Sequence, residues 1–104
     1  MNVSIVIPTY NRKPILEKCL AALENQKLNT NISTYEIIVV DDGSNDGTSS
    51  WINNNKANLP HVILLHQEHG GPALGRNLGV IKSKYEIIIS VSYTHLTLPT
   101  NREV

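Results

Sequence analysis

The sequence predicts an α/β fold in which helices cover both faces of a parallel β-sheet. Apolar runs of strand length alternate with segments of helical periodicity, in the order βαβαβαβ. Runs that are hydrophobic on both faces are typical of buried parallel strands, and the chain between them is long enough for crossover helices. A length of 104 residues, of which 40% are hydrophobic, provides one domain with its own core.

Residue types and spacing predict the first strand and helix. Val3–Pro8 is rich in β-branched residues and is expected to form a short buried strand. A helix is predicted over Pro14–Gln26, because Pro14 suits a first helical position and apolar residues recur at helical spacing. The buried face of this helix should consist of Leu16, Cys19, Leu20 and Leu23. After a polar loop, Tyr35–Val40 is predicted as the second strand.

A second helix and a third strand follow a turn that is dense in Asp, Gly, Ser and Asn. The helix is predicted over Thr48–Lys56. Asn45 or Asp46 is expected to cap it, because both side chains accept hydrogen bonds from the first helical N–H groups. His61–His66 is apolar between its two histidines and is predicted as the third strand.

The last helix and strand complete the predicted alternation. The helix opens at Gly70-Gly71-Pro72 and runs to about Ser83. Its apolar residues, which share one face, are Leu74, Leu78 and Ile81. Tyr85–Ile89 is predicted as the fourth strand.

Composition and charge exclude several classes of protein. Nine Lys and Arg residues balance nine Asp and Glu residues, whereas nucleic-acid-binding domains are usually basic. No apolar run approaches the length of a membrane span, about 18 residues. Cys19 is the single cysteine, so neither a disulfide within the chain nor a cysteine metal cluster is expected. Because the first residues lack a positively charged leader and the chain has a single cysteine, we expect a cytoplasmic protein, with the cytoplasmic face of the membrane as the alternative for the full-length protein.

Chemically useful residues follow the first three predicted strands. In such sheets, ligands bind beyond the carboxyl ends of the strands, where the strand order reverses. Tyr10 offers a ring on which a base can stack, and a carboxylate at Asp41 or Asp42 can accept hydrogen bonds from a base or a ribose. The glycines at the start of the third helix leave backbone N–H groups for a diphosphate, and Arg76 adds a charged fork. Each residue taken alone has an ordinary structural explanation, but together they favour a nucleotide site.

Three motifs, in this order, resemble the N-terminal motifs of family 2 glycosyltransferases. They are SIVIPTYNR at 4–12, EIIVVDDGSNDGT at 36–48 and GPALGRNLG at 71–79. The resemblance covers about residues 2–89 and implies a GT-A fold, a Rossmann-like parallel sheet that is incomplete here. It also implies transfer of a sugar from a nucleoside-diphosphate donor, commonly a UDP-sugar, to an acceptor hydroxyl on a polysaccharide, lipid or protein glycan.

The resemblance also implies roles for particular residues. Pro8 and Tyr10 would line the base, and Asp42, or Asp41, would bind the base or the ribose. Arg76 would lie near the base or the diphosphate. No residue of the chain is assigned a catalytic role, because the half of the family's domain that binds the acceptor and supplies the general base has no counterpart here.

The metal motif of the family is missing from this sequence. In the family, an Asp-x-Asp motif after the fourth strand binds Mg²⁺ or Mn²⁺ together with the donor diphosphate. Here that place reads Ser90-Val91-Ser92, and a hydroxyl does not replace a carboxylate as the main ligand of a hard dication. His66 and His69 lack a third ligand, and His61 has no partner pattern. We therefore expect no metal site in this chain and no sugar transfer by it.

The last residues depart from the family altogether. Residues 91–104 are similar to translated sequencing-adapter read-through, and a genuine but divergent terminus is the alternative. We therefore predict two regions. Residues 1–90 would be the N-terminal nucleotide-binding half of a glycosyltransferase domain, and residues 91–104 a non-family tail of irregular structure.

Other functions remain to be weighed against a glycosyltransferase fragment. A non-catalytic nucleotide-binding module is the main alternative, and UDP binding without turnover would favour it. A receiver-like signalling domain would need a phosphoacceptor Asp after the third strand, where Gln67 and Glu68 stand instead. A dinucleotide-binding dehydrogenase is disfavoured because no GxGxxG motif follows the first strand.

Overall fold

The computed structural model describes residues 2–25, 34–68, 70–85 and 87–90. Strands and helices alternate along these residues, as the sequence predicts. The elements are β1 (Asn2–Thr9), α1 (Lys13–Asn25), β2 (Thr34–Asp41), α2 (Thr48–Asn54), a 3₁₀ turn (Lys56–Asn58), β3 (Val62–His66), α3 (Gly71–Lys82) and β4 (Ile87–Ser90). The predicted end of the first helix at Gln26 and the predicted irregular tail at 91–104 lie outside the described residues.

The described strands form one parallel sheet in the order β3-β2-β1-β4. Ile37 of β2 pairs with Ile5 of β1 and with Val62 of β3, while Val3 of β1 pairs with Ile87 of β4. The chain runs outward from β1 to β3 and then crosses back to the other side of β1. The strand order therefore reverses between β1 and β4, which confirms the predicted α/β architecture.

The main core lies between the sheet and the two helices α1 and α2. Alternate residues of β1 and β2, among them Ile7 and Val39, point to this side. The buried face of α1 is the predicted one and consists of Leu16, Cys19, Leu20 and Leu23. Burial also raises the pKa of the Cys19 thiol, so this cysteine is a core residue and not a reactive group.

The opposite face of the sheet carries α3, and here the predicted packing is wrong. The buried residues of α3 are Gly75 and Gly79, whereas Leu74 is 55% exposed and Ile81 is 75% exposed. A Cβ on Gly79 would overlap the Val6 side chain, and a Cβ on Gly75 would lie 3.1 Å from that of Pro8. The helix therefore approaches the strands through its glycines, whereas Leu74 and Ile81 are exposed and Leu78 is half-buried.

Two helix boundaries differ from the predicted ones for identifiable reasons. The first helix begins at Lys13, one residue before Pro14, because Arg12 accepts the first helical hydrogen bond from Leu16. The second helix ends at Asn54 and not at Lys56, since the Asn55 side chain donates to the Trp51 carbonyl at 2.8 Å and a 3₁₀ turn follows. Within the described ranges, no helix has the length and apolarity needed to cross a membrane.

Candidate nucleotide-binding site

The carboxyl ends of β1, β2 and β3 meet along one edge of the sheet. Thr9 is in register with Asp41, and Asp41 is in register with His66. Two backbone bonds carry the pairing one residue further, from Asp42 N–H to the Thr9 carbonyl and from Gln67 N–H to the Asp41 carbonyl, each 2.9 Å long. The residues that directly follow these strands are thereby brought side by side, as the sequence predicts for its site.

The carboxylate of Asp42 is fixed by the turn between β3 and α3. Its Oδ1 accepts the Gly70 N–H at 2.6 Å and the Gln67 amide at 3.0 Å, and its Oδ2 accepts the Gly71 N–H at 3.0 Å. The expectation that these glycine N–H groups are open to a diphosphate is wrong. The start of a helix attracts negative charge, and here Asp42 provides that charge from within the chain.

Asp41 organises the loop between β2 and α2. Its side chain is buried, with the residue only 1% exposed. Oδ1 accepts the Ser44 N–H at 3.0 Å and Oδ2 accepts the Ser49 hydroxyl at 2.9 Å, while His66 Nδ1 lies 4.0 Å from Oδ2. Of the two neighbouring carboxylates, Asp42 is therefore the more accessible to a ligand, being only half-buried.

A reciprocal pair of hydrogen bonds joins the loops that follow β1 and β2. The Asn11 N–H donates to the Ser44 hydroxyl, and the Asn11 side-chain oxygen accepts the Asn45 N–H, both at 2.8 Å. Asn11 has a φ of 50°, a left-handed conformation that Asn tolerates better than most residues. This link fixes the backbone next to Tyr10, whose side chain is 45% exposed at the edge of the sheet.

Asp46 binds the first turns of two helices at once. Its Oδ2 accepts the N–H of Lys13, the first residue of α1, at 3.0 Å. Its Oδ1 accepts the N–H of Thr48, the first residue of α2, at 3.2 Å, and the Thr48 hydroxyl at 2.6 Å. The expected capping contact of Asp46 is therefore present, although the cap position itself is taken by Gly47 with a φ of 90°.

The electrostatics of Asp46 follow from these contacts. Burial acts to raise the pKa of Asp46, but the hydrogen bonds from Thr48 and Lys13 outweigh it and hold the pKa below its ordinary value. The ionised Asp46 carboxylate therefore connects the first residue of α1 to the first residue of α2.

Pro8 lies at the contact between β1 and α3, and Arg76 lies on α3. Pro8 is half-buried, and Gly75 packs directly against its ring. Arg76 is exposed on α3, one residue further along. The structure thus brings Pro8, Asp41 and Asp42 together at the carboxyl edge. It describes no hydrogen bond or ion pair of Arg76 with any described residue, so the role of this side chain stays a prediction.

Gln67 is a site residue that the sequence analysis did not identify. Its side-chain amide donates to Asp42 Oδ1 at 3.0 Å and to the Gly71 carbonyl at 3.1 Å. A single glutamine has no motif of its own. The one available signal was its position directly after the third strand, where polar residues tend to face the ligand edge of the sheet.

A second polar cluster lies at the opposite, amino-terminal edge of the sheet. Glu24 Oε1 is 2.6 Å from His61 Nδ1, and Glu24 Oε2 accepts the His61 N–H at 2.9 Å. The Tyr35 ring stacks on His61 with the ring centroids 4.1 Å apart, and burial together with the Glu24 carboxylate raises the pKa of Tyr35. The partner of His61 lies 37 residues away in the sequence, which explains why the sequence shows no partner pattern for it. The cluster connects α1 to the start of β3, away from the candidate site.

Within the described residues, no group of three or more His, Cys, Asp or Glu side chains is placed to hold a metal ion such as Mg²⁺ or Mn²⁺. Ser90 ends β4, and the remainder of the Ser90-Val91-Ser92 segment lies outside the described residues.

Fold and site together define a class: an α/β domain with its polar residues gathered where a doubly wound sheet binds ligands. Within that class, the chain belongs to glycosyl transferase family 2, whose family model matches residues 4–91. It is 37% identical over 93 residues to the poly(ribitol-phosphate) beta-glucosyltransferase of Bacillus spizizenii, a match that covers 88% of this chain and 14% of that protein.

Solved structures of similar fold carry nucleotide sugars. S. aureus TarS 1-349 in complex with UDP-GlcNAc matches 89% of this chain with a TM-score of 0.76 and 27% identity. The mannosyltransferase PcManGT from Pyrobaculum calidifontis, in complex with GDP-Man and Mn²⁺, matches 83% of it with a TM-score of 0.65 and 28% identity. The chain spans 26% and 25% of those two chains, respectively, so it corresponds to a minor part of each.

Proposed function

We propose that this chain binds the nucleotide of a nucleoside-diphosphate-sugar donor, as the donor-binding part of a glycosyltransferase. The observation that carries the proposal is the Asp42 carboxylate, held at the carboxyl edge of the sheet by Gly70, Gly71 and Gln67. A carboxylate in a fixed orientation, beside an exposed tyrosine ring, is suited to recognise a planar base that presents an N–H group.

Each candidate residue has a physical role in this proposal. Tyr10 stacks on the base through its exposed ring, and Pro8 forms the apolar wall below it. Asp42 accepts a hydrogen bond from the base, whereas buried Asp41 keeps the neighbouring loop in shape. Arg76, exposed on α3, is proposed to bind diphosphate oxygens with its guanidinium fork.

The chemistry of a carboxylate predicts which bases are accepted. An ionised carboxylate only accepts hydrogen bonds. Uracil and guanine both carry a ring N–H that can donate to it, whereas the corresponding ring nitrogens of cytosine and adenine are themselves acceptors. Related structures hold UDP-GlcNAc and GDP-Man, which agrees with this distinction. We therefore propose a uridine donor, with a guanosine donor as the nearest alternative.

In the complete reaction, the acceptor hydroxyl attacks the anomeric carbon of the sugar and the bond from that carbon to the diphosphate breaks. The hydroxyl proton passes to a general base, and the nucleoside diphosphate leaves. We assign no described residue to this transfer step and derive no step through a metal. We propose that the chain binds the donor and that the parent enzyme acts on a polysaccharide, lipid or protein glycan.

Calorimetric titration of the full chain tests the proposal. We expect UDP to bind more tightly than CDP or pyrophosphate, because only UDP combines a diphosphate with a ring N–H donor. Asp42→Asn should weaken UDP binding by about tenfold, the effect of losing one hydrogen bond to a charged group. Glu68→Gln is the matched control, since it removes an exposed carboxylate nearby and should leave the affinity unchanged. Equal affinity for UDP and pyrophosphate would refute base recognition.

A donor-hydrolysis assay tests whether this chain turns over the donor that it is proposed to bind. With UDP-GlcNAc and Mn²⁺, we expect this chain to release sugar at the background rate. Metal-dependent release that Asp42→Asn abolishes would contradict that expectation and place catalytic residues within the chain.

A further inference from the structure

The side chain of Gln67 links the Asp42 carboxylate to the first residue of α3. Its backbone N–H is tied to the end of β2 through the Asp41 carbonyl at 2.9 Å. Its side-chain nitrogen has two protons and two acceptors, Asp42 Oδ1 at 3.0 Å and the Gly71 carbonyl at 3.1 Å. The amide therefore connects the carboxylate to the first turn of α3.

Two glycines make room for this amide. A Cβ on Gly70 would lie 3.0 Å from the Gln67 side-chain nitrogen, and a Cβ on Gly75 would lie 3.5 Å from it. The second position also faces the Pro8 ring at 3.1 Å. The glutamine amide thus lies against Gly70, which precedes α3, and near Gly75 of α3, where it reaches the Asp42 carboxylate.

We propose that Gln67 is the positioning residue for Asp42, setting the direction in which this carboxylate faces the base of the donor. The inference rests on the proposed function and deepens it. Gly70 and Gln67 both donate to Oδ1, while Gly71 holds Oδ2. The backbone donors of Gly70 and Gly71 hold one oxygen each, and the Gln67 side chain, from the residue that directly follows β3, adds a donor to Oδ1 that restrains the rotation of the carboxylate.

The chemistry of the bridge distinguishes Gln67 from residues of similar size. Methionine occupies the same space but donates no hydrogen bond, so Asp42 keeps the Gly70 and Gly71 donors and loses the Gln67 donor. Glutamate fills that space with a second negative charge next to the first, which disfavours two ionised carboxylates at hydrogen-bonding distance. If Gln67 acts by orienting Asp42, UDP affinity should fall in the order Gln, Met, Glu.

Titration of the full chain with UDP, CDP and pyrophosphate tests this role. For Gln67→Met we expect UDP affinity to fall by about fivefold to tenfold, the range for a lost hydrogen bond to a charged group that acts indirectly. The affinities for pyrophosphate and CDP should stay unchanged, because neither depends on the orientation of Asp42. The ratio of UDP affinity to CDP affinity should therefore fall by a similar factor. Gln67→Glu should lower UDP affinity further, and Glu68→Gln should have no effect on any of the three.

The possible results separate this inference from the proposed function. If the unaltered chain binds UDP no better than pyrophosphate, both fail. If it prefers UDP and Gln67→Met keeps that preference, the inference alone fails. If both Gln67 variants lose UDP and pyrophosphate equally, Gln67 has a structural role only, which also overturns the inference. Protection of the buried Cys19 thiol from alkylation reports whether each variant is folded. If Gln67→Met unfolds, the comparison of UDP affinity with pyrophosphate affinity is made with Gln67→Glu instead.

Discussion

At the scale of single residues, Asp46 stabilises the site without belonging to it. One carboxylate accepts hydrogen bonds from the first residues of both α1 and α2. These helices begin in the two loops that Asn11 also links. Because both helix N-termini favour negative charge, the ionised form of Asp46 is the stabilising one.

The stability of the chain should therefore depend on Asp46 in a pH-dependent way. The pKa of Asp46 is lowered in the folded chain, so its contribution is complete above the ordinary Asp pKa and is lost as pH falls through the lowered value. Asp46→Ala should reduce the free energy of unfolding by about 1 kcal/mol at pH 7, and the difference from the unaltered chain should shrink in acid.

Urea unfolding between pH 7 and pH 3 measures this effect. Ser50→Ala is a suitable control, because Ser50 is exposed on α2 and lies outside the cap. A difference between Asp46→Ala and the unaltered chain that is constant across this pH range would show that the charge of Asp46 contributes nothing.

The residue scale also shows the limits of reading this sequence. Tyr10, Asp41 and Asp42 could be placed in advance because each follows a recognisable strand, and the sheet brings strand ends together. The different roles of Asp41 and Asp42 could not be predicted. They depend on the hydrogen bond from Ser49 to Asp41 and on the hydrogen bond from the backbone of the β3–α3 turn to Asp42. A hydrogen bond between residues 28 apart in sequence leaves no local pattern.

At the scale of elements, α3 is the helix whose buried face differs from the face that hydrophobic periodicity indicates. Hydrophobic periodicity correctly selects the buried face of α1, because large apolar residues fill the space above the sheet there. In α3, the buried positions are glycines and the helix lies closer to the strands. A periodicity rule weighs apolar side chains and overlooks close packing by small ones, so it assigns this helix the wrong face.

Gly79→Ala tests the close contact of α3 with the sheet. A Cβ at this position would overlap Val6, and we expect the variant to lose about 1–3 kcal/mol of stability, as overpacked cores do. Asn77→Ala on the exposed side of the same helix should change stability by less than about 0.5 kcal/mol. Thermal and urea unfolding of the two variants give the comparison.

A double variant identifies the cause. If the Gly79→Ala defect comes from the clash, combining it with Val6→Ala should cost less than the sum of the two single changes. Additive losses, or a Gly79→Ala variant as stable as the parent, would contradict the close approach of α3 and β1.

At the scale of the whole molecule, each of the two edge strands, β3 and β4, pairs with one described strand only, and α3 has apolar side chains that are exposed. β4 pairs only with β1 among the described strands, and Leu74 and Ile81 are exposed on α3. Unpaired strand edges and exposed apolar side chains both promote association. We therefore expect the chain to self-associate as its concentration rises.

Sedimentation velocity over a concentration series measures this tendency. Ile81→Lys should shift the distribution towards monomer, whereas Asn77→Lys adds the same charge on the same helix without removing an apolar side chain and should shift it less. A chain that is monomeric at every concentration would refute the expectation, and an equal effect of both variants would assign it to charge alone.

The division of the chain into a nucleotide-binding half, residues 1–90, and a tail, residues 91–104, is a further proposal at this scale. The family model matches residues 4–91, and the assignment of residues 91–104 to a separate tail stays a prediction. A chain ending at residue 90 should keep its UDP affinity and nearly the same thermal midpoint. Loss of folding on this deletion would show that the last residues complete the domain.

The central claim is that a nucleotide binds at the carboxyl edge of the sheet, against the Asp42 carboxylate. Amide NMR spectra of the ¹⁵N-labelled chain during titration with UDP test it most directly. We predict that the largest shift changes fall on the amides of Tyr10, Asp42 and Gly70, while those of Tyr35 and His61 at the opposite edge stay in place. Changes centred on Tyr35 and His61, or none at saturating UDP, would contradict the claim.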